Sequence, residues 1–287
     1  MKEKERKYAT PTAFRRALED RLKAIAVKEK SDFQRLCREV AFDRLLARLF
    51  ARPEPPWILK GGYAMELRLK EARVTKDIDL NLRRSLKGSG IPFNEAIQQT
   101  LKEAADKDMN DFFSFTVGAA TADLDAAPYG GARFPVEARM DGRTFVRFHV
   151  DVAAGDVELT PSETLEGRDW MDFAGIAAVK VTAIPREQQF AEKLHAYTLP
   201  RKKPNSRVRD LVDMILLIKS GGMSKARVSG AIQATFGRRK THPVPNKLDA
   251  PSRDWERPFA EMAKECSLIE DLDAAFKVLD EYFRKLG

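Results

Sequence analysis

Cysteine is nearly absent: Cys37 and Cys266 are the 2 present in 287 residues, far apart and outside any CxxC pair. That excludes a disulfide scaffold and a Cys-rich zinc site, and it suits a reducing cytosol. Histidine is equally scarce. His149, His195 and His242 share no HxH or HxxxH spacing, which argues against zinc-hydrolase chemistry. No apolar run approaches the ~18–20 residues needed to span a bilayer. The basic start, Met1-Lys2-Glu3-Lys4-Glu5-Arg6-Lys7, leads into no apolar stretch of the kind a secretory signal carries. The expectation is a cytoplasmic protein with no membrane partner.

What is present is an ordinary globular composition, 43% hydrophobic, long enough for one large domain or two modest ones. Lys plus Arg number 51 against 43 Asp plus Glu, for a net charge of +8. The excess is uneven. Between Arg186 and Asp254 there are 15 basic and 6 acidic residues, so the remainder of the chain is close to neutral. Arg201-Lys202-Lys203, Arg207-x-Arg209 and Arg238-Arg239-Lys240 could meet the phosphates of a polyanion; solvated loop charges are the alternative.

Spacing predicts two N-terminal helices, the first with Phe14, Leu18, Leu22 and Ile25 on one face, the second over 32–49. Trp57-Ile58-Leu59 reads as a short strand ended by Gly61-Gly62, with a helix from Tyr63 to Glu71. Further strands are expected at 77–82, 112–117, 133–140, 144–152 and 177–182, with a helix over 93–106. From Arg186 onward the pattern is helical. This order predicts an α+β protein: a mixed-sheet domain with N-terminal helices over 1–184 and a basic helical lobe over 185–287.

The most informative stretch is Lys60-Gly61-Gly62, followed after fourteen intervening residues by Asp77-Ile78-Asp79-Leu80. In a strand, Asp77 and Asp79 project to one face, where two carboxylates repel unless a cation lies between them. Mg²⁺ favours such hard oxygen ligands and leaves positions for substrate phosphates. A Gly-Gly pair at a helix start lets backbone N–H groups approach a phosphate. Asp151 closes an otherwise apolar strand; placed beside the first pair, it would complete a three-carboxylate metal site for in-line phosphoryl displacement. Taken singly, an Asp-x-Asp is a solvated strand edge and a Gly-Gly is a turn; their combination carries the signal.

These motifs resemble the DNA polymerase β-type nucleotidyltransferase superfamily. Leu59-Lys60-Gly61-Gly62-x-Ala64, Arg73-x-Thr75-x-Asp77-Ile78-Asp79-Leu80, Glu192-Lys193-Leu194-x-Ala196 and Arg207-x-Arg209-Asp210-x-x-Asp213 are similar, in that order, to the AbiEii/MenT group of nucleotidyltransferase toxins. Tyr63 departs from the pattern, standing where a small hydroxyl residue is common. The resemblance implies Mg²⁺ (or Mn²⁺) on Asp77, Asp79 and Asp151, nucleotide contacts from Lys60, Gly61, Gly62, Lys193 and Arg209, and a catalytic or orienting role for Asp210. It ranks Asp213 below these and makes Thr75 a candidate regulatory phosphorylation site.

The implied activity is transfer of NMP from an NTP to RNA, with the tRNA 3′ end as acceptor and a block of translation as the outcome. The chain would be the toxin of a toxin–antitoxin or abortive-infection pair with a cognate antitoxin, and monomeric. The alternatives are nucleotidyl transfer to a small molecule or to a protein, and a non-enzymatic module that binds RNA or a partner.

Overall fold

The computed structural model describes residues 7–83, 90–124, 127–201 and 207–286. Met1 to Arg6, and Lys202 and Lys203 of the basic block, lie outside the described residues. The chain divides into two compact units. Unit 1 comprises Met1–Leu59, Lys76–Ala154 and Thr164–Thr182; unit 2 comprises Lys60–Thr75, Gly155–Glu163 and Ala183–Gly287.

Unit 1 is built on a mixed sheet. Its strands are β1 (Trp57–Lys60), β2 (Asp77–Leu82), β3 (Ser114–Val117), β4 (Ala122–Asp123), β5 (Gly131–Met140), β6 (Arg143–Ala154), β7 (Glu163–Glu166) and β8 (Lys180–Ala183), in the order β3-β5-β6-β2-β1-β8-β7 with β4 paired to β5. The β5–β6 hairpin turns through Asp141-Gly142, both with positive φ (55° and 68°), the two-residue geometry that matches strand twist. A bulge between Ala138 and Arg139 skips Phe145 and shifts the register by one residue, so Arg133 faces Asp151. β2 joins β6 in parallel, pairing Asp77 with His149 and Asp79 with Asp151.

Alternation fixes which face is buried. On β5, Phe134, Val136, Ala138 and Met140 are buried; on β6, Phe148, Val150 and Val152 are. α1 (Pro11–Glu29), α2 (Phe33–Leu49) and α4 (Phe93–Ala105) complete the unit. Thr10 and Asp32 cap α1 and α2 by accepting backbone N–H bonds from Ala13 and Arg35. Phe42 of α2 meets Phe148 edge-on at 4.8 Å, so the helix covers the apolar face. Asp111, fully buried, takes both Arg44 and Arg48 at 2.7 Å, which satisfies three charges that would otherwise be stranded in the core.

Unit 2 is helical: α3 (Gly61–Arg68), α5 (Arg186–Thr198), α6 (Val208–Ser220), α7 (Lys225–Arg239), α8 (Glu256–Glu265) and α9 (Leu272–Arg284). Its core gathers Phe190 and Leu194 of α5, Leu211 and Leu217 of α6, Phe259 of α8 and Leu279 of α9, and Met65 brings α3 into the same cluster. The mixed sheet and helices are the α+β architecture expected from the sequence. Some bounds differ from the sequence reading: the helix expected from Tyr63 to Glu71 spans Gly61–Arg68, the strand expected over 177–182 spans Lys180–Ala183, and the short strands β4 and β7 were not anticipated. Among the described residues no helix is long and apolar enough to cross a membrane.

Candidate functional site

In unit 1 the three acidic residues singled out from the sequence fall on neighbouring positions of one sheet face. Asp77 and Asp79 are two apart on β2, and Asp151 lies directly across from Asp79 on β6. The sequence did not reveal what sits with them. Arg133 of β5 donates from Nε to Oδ1 and from Nη2 to Oδ2 of Asp151, both at 2.7 Å. The same Nη2 is 3.5 Å from Oδ2 of Asp77, and Nδ1 of His149 is 3.4 Å from the other oxygen of Asp77. The double hydrogen bond to Asp151, with the nearby charges of Asp77 and Asp79, raises the Arg133 pKa and fixes it as a cation.

The donor set has the chemistry of a Mg²⁺ site: carboxylate oxygens from two adjacent strands, with Asp77 31% and Asp151 14% exposed at the side chain. His149 brings one ring nitrogen beside Asp77, and no thiolate joins the set among the described residues. Among the described residues, however, no three His, Cys, Asp or Glu side chains are arranged as a ready metal cage, because Arg133 occupies both oxygens of Asp151. A divalent ion fits this face in exchange for Arg133, not in addition to it.

The remaining candidates lie in unit 2. Gly61 opens α3 with φ +66°, a conformation that favours glycine, and its carbonyl accepts from Nε2 of Gln189 at 2.6 Å. Gly62 is required for closeness: a Cβ there would stand 2.6 Å from Oγ1 and 2.8 Å from Cβ of Thr75. Thr75 is itself held by a 2.5 Å bond from its backbone N–H to Glu66. Tyr63 is buried, 2% exposed, and so belongs to the packing of the helix.

Lys60 does not face solvent. Its Nζ is 2.5 Å from Asp156 and 3.5 Å from Glu192, and Arg239 donates from Nε and Nη2 to the same Asp156 at 3.0 and 2.9 Å. Burial opposes the charge on Lys60, but Glu192 and Asp156 outweigh it and raise the pKa; burial also opposes the charge on Asp156, yet Lys60 and Arg239 hold its carboxyl low. Asp156 and Arg239 carried no sequence signal, being 83 residues apart.

Lys193 is buried on α5 between two carboxylates of α6, 2.5 Å from Asp213 and 3.4 Å from Asp210. Arg73 adds a two-pronged bond to Asp213 at 3.0 and 2.9 Å. Burial disfavours both charges, but Lys193 and Arg73 keep the Asp213 carboxyl low, and Asp213 and Asp210 keep Lys193 protonated. Asp213, which the sequence reading ranked below Lys193 and Asp210 as a site residue, is therefore the hub of this network. Asp210 differs in kind: it is 8% exposed, yet among the described residues its buried Oδ2 accepts no hydrogen bond, and Arg207 lies 3.5 Å from it. A buried carboxylate oxygen without a donor is unusual in a folded core. Arg209, the next candidate, is exposed at the start of α6.

Comparisons with known proteins agree with this picture. Residues 44–283 match the family model described as nucleotidyl transferase AbiEii toxin, type IV TA system. No curated protein matches the chain. Among solved structures, the fold is similar to MenT4, a nucleotidyltransferase toxin from Mycobacterium tuberculosis H37Rv, at TM-score 0.58 and 17% identity over 93% of this chain and 96% of that one. JHP933 from Helicobacter pylori matches at TM-score 0.46 and 13% identity, over 88% and 95% of the two chains. The family match spans most of the chain, including every motif that carried the resemblance, and the protein belongs to the AbiEii family of nucleotidyltransferase toxins of type IV toxin–antitoxin systems.

Proposed function

We propose that this toxin transfers a nucleoside monophosphate from an NTP to the 3′ end of RNA, with tRNA as the acceptor, and that the added nucleotide blocks translation. The observation that supports it most is the in-register pairing of Asp79 with Asp151, with Asp77 on the same face. The reaction is an in-line displacement: the acceptor 3′-hydroxyl attacks the α-phosphorus, the bond to the β-phosphate oxygen breaks, and pyrophosphate leaves. Asp77, Asp79 and Asp151 would hold a divalent ion, Mg²⁺ or Mn²⁺, which supplies charge neutralisation at the α-phosphate and at the two oxygens of the displacement.

The side chains of the chain divide the remaining work. Asp151 takes up the proton of the attacking hydroxyl. Lys193, held protonated by Asp213 and Asp210, is assigned to neutralise the triphosphate, with Lys60 and the Gly61-Gly62 turn as further nucleotide contacts. Asp210 orients the nucleotide through its unpartnered Oδ2. Arg209, exposed, meets the phosphates of nucleotide or acceptor. Thr75 is the regulatory candidate: a phosphate of about −2 charge two residues before Asp77 would repel metal and NTP.

The decisive experiment is incubation of the full chain with total RNA, Mg²⁺ and each of four labelled NTPs, followed by sequencing of labelled 3′ ends. Transfer that is lost in Asp77→Ala and Asp79→Ala, together with relief of growth arrest, is the expected result. Label on a small molecule or a polypeptide, with RNA untouched, refutes the RNA reading. Thr75 is tested separately by intact mass after co-expression with a partner kinase; an unmodified Thr75 removes the switch.

A further inference from the structure

The second face of the β3–β5–β6 sheet is polar from one end to the other. Arg133, Pro135, Glu137 and Arg139 alternate with the buried residues of β5, and Arg147, His149 and Asp151 do the same on β6. Alternation of this kind buries one face and leaves the other for a different partner. A groove of about 720 Å³ runs over it, lined by Arg38, Lys76, Arg133, Arg147, His149 and Thr116, with Asp77 also in its wall. We infer that this groove holds the phosphate backbone of the single-stranded 3′ end of the acceptor RNA, with its terminus delivered to Asp77. The inference rests on the nucleotidyltransfer reading for the identity of the strand, and it adds to the basic C-terminal region a track in unit 1.

Three observations carry it. First, the lining has four permanent cations (Arg38, Lys76, Arg133 and Arg147) against the carboxylates of Asp77 and Glu137. Arg133 is committed to Asp151. Arg147 touches Glu137 at 3.3 Å, but its side chain is 72% exposed, so the pair is solvated and easily exchanged for a phosphate. Lys76 is exposed at the start of β2. Second, residues two apart on a strand stand about 7 Å from one another, comparable to the phosphate repeat of an extended strand; Arg147, His149 and Asp151 follow one another in this relation along β6. Third, of the apolar side chains lining the groove, Val136 and Phe148 are buried in the core at 2% and 4% exposure, and Pro135 is half-buried within β5. Among its described residues no aromatic or aliphatic anchor projects for a protein partner, whereas cations and hydroxyls are what a sugar–phosphate chain requires.

The test measures binding apart from chemistry. A 5′-fluorescein-labelled eight-nucleotide RNA ending in CCA is titrated with the full chain by anisotropy, in EDTA and without NTP, from 50 to 300 mM salt. Wild type, Arg147→Ala, Lys76→Ala and the double variant are compared, with melting temperature as the folding check. The expected result is about tenfold weaker binding in the double variant and a salt slope reduced by about 1.4, since each lost single-strand phosphate contact removes about 0.7. Unchanged affinity and slope, or no binding by wild type at 50 mM salt, overturns the inference. So does displacement of the oligonucleotide by NTP alone, which assigns the groove to the triphosphate, and so does capture of an acidic protein in place of RNA. The two readings fail differently. Weakened RNA binding with no nucleotide transfer in any assay leaves the groove standing and removes the transfer reading; transfer by the double variant at an unaltered KM for RNA does the reverse.

Discussion

Arg133 grips Asp151 with two 2.7 Å hydrogen bonds from the strand position directly opposite it, while its Nη2 stays within 3.5 Å of Asp77. A guanidinium in that place supplies the positive charge that neighbouring carboxylates require, and a divalent ion must compete with it. Arg133→Ala removes the competitor. Mn²⁺ titrated into the NTP-free variant, followed by calorimetry or by the spin-resonance signal of the free ion, is expected to bind up to tenfold tighter, about 1.4 kcal/mol. The metal-free variant should melt below wild type and regain the difference when Mn²⁺ is added. Equal affinities would remove Arg133 from the metal site.

Asp213 and Asp210 should separate stability from activity. Asp213→Ala leaves Arg73 without its carboxylate and Lys193 with only Asp210, 3.4 Å away, a loss from a buried ion network of the kind that costs about 3–5 kcal/mol. Urea unfolding of Asp213→Ala and Asp213→Asn measures it, and Asn should recover part of the loss by accepting from one donor. Asp210→Asn is expected to cost less stability than Asp213→Ala, since Oδ2 gives up no hydrogen bond and Lys193 keeps Asp213 as its nearer partner, while transfer falls by about 10²-fold or more. A stable, fully active Asp210→Asn contradicts the role assigned to Asp210.

Much of this was legible in the sequence. Helix spans followed from apolar spacing, and the Asp77/Asp79 pair and Asp151 followed from strand alternation. Arg133 was not, and the reason is one residue. The Asp141-Gly142 turn taken alone pairs Arg133 with Val150; the bulge at Phe145 shifts the register so that Arg133 meets Asp151. Nothing local in the sequence announces that bulge. The pairs Arg239–Asp156 and Arg73–Asp213, 83 and 140 residues apart, are invisible for the same reason: they are set by tertiary packing. The basic excess between Arg186 and Asp254 was real as a count, but Lys193, Arg186, Arg227 and Arg239 spend their charges on carboxylates of unit 2. A charge count cannot distinguish such pairs from a patch open to a polyanion.

Gly62 lends itself to a double-mutant cycle. An added Cβ meets the Cβ of Thr75 at 2.8 Å, and that atom is fixed to the backbone, so the loop itself must move. Gly62→Ala should cost about 1–3 kcal/mol despite the better helix propensity of alanine. Thr75→Gly makes room, and the double variant is expected to recover at least 1 kcal/mol relative to additivity in urea unfolding. Strict additivity would mean that the Thr75 loop does not pack on Gly62.

His195 predicts how stability follows pH. It is 3% exposed on α5, with Nε2 2.8 Å from Thr241 Oγ1, Nδ1 3.4 Å from Arg239, and the ring of His242 at 4.7 Å. Burial first, then Arg239 and His242, depress its pKa from 6.5 to about 4, with Asp156 opposing. The folded chain therefore keeps this ring neutral where the unfolded chain binds a proton. Stability from this group is complete above pH 6.5 and is lost as pH falls from 6.5 toward 4, by up to about 3 kcal/mol. His242, whose pKa is also lowered by burial, adds in the same direction. Urea unfolding at pH 7.0, 6.0 and 5.0 should show this decline in wild type and a shallower one in His195→Gln, whose amide can still bond to Thr241 but takes up no proton. Parallel profiles for the two proteins would mean that other groups govern the acid limb.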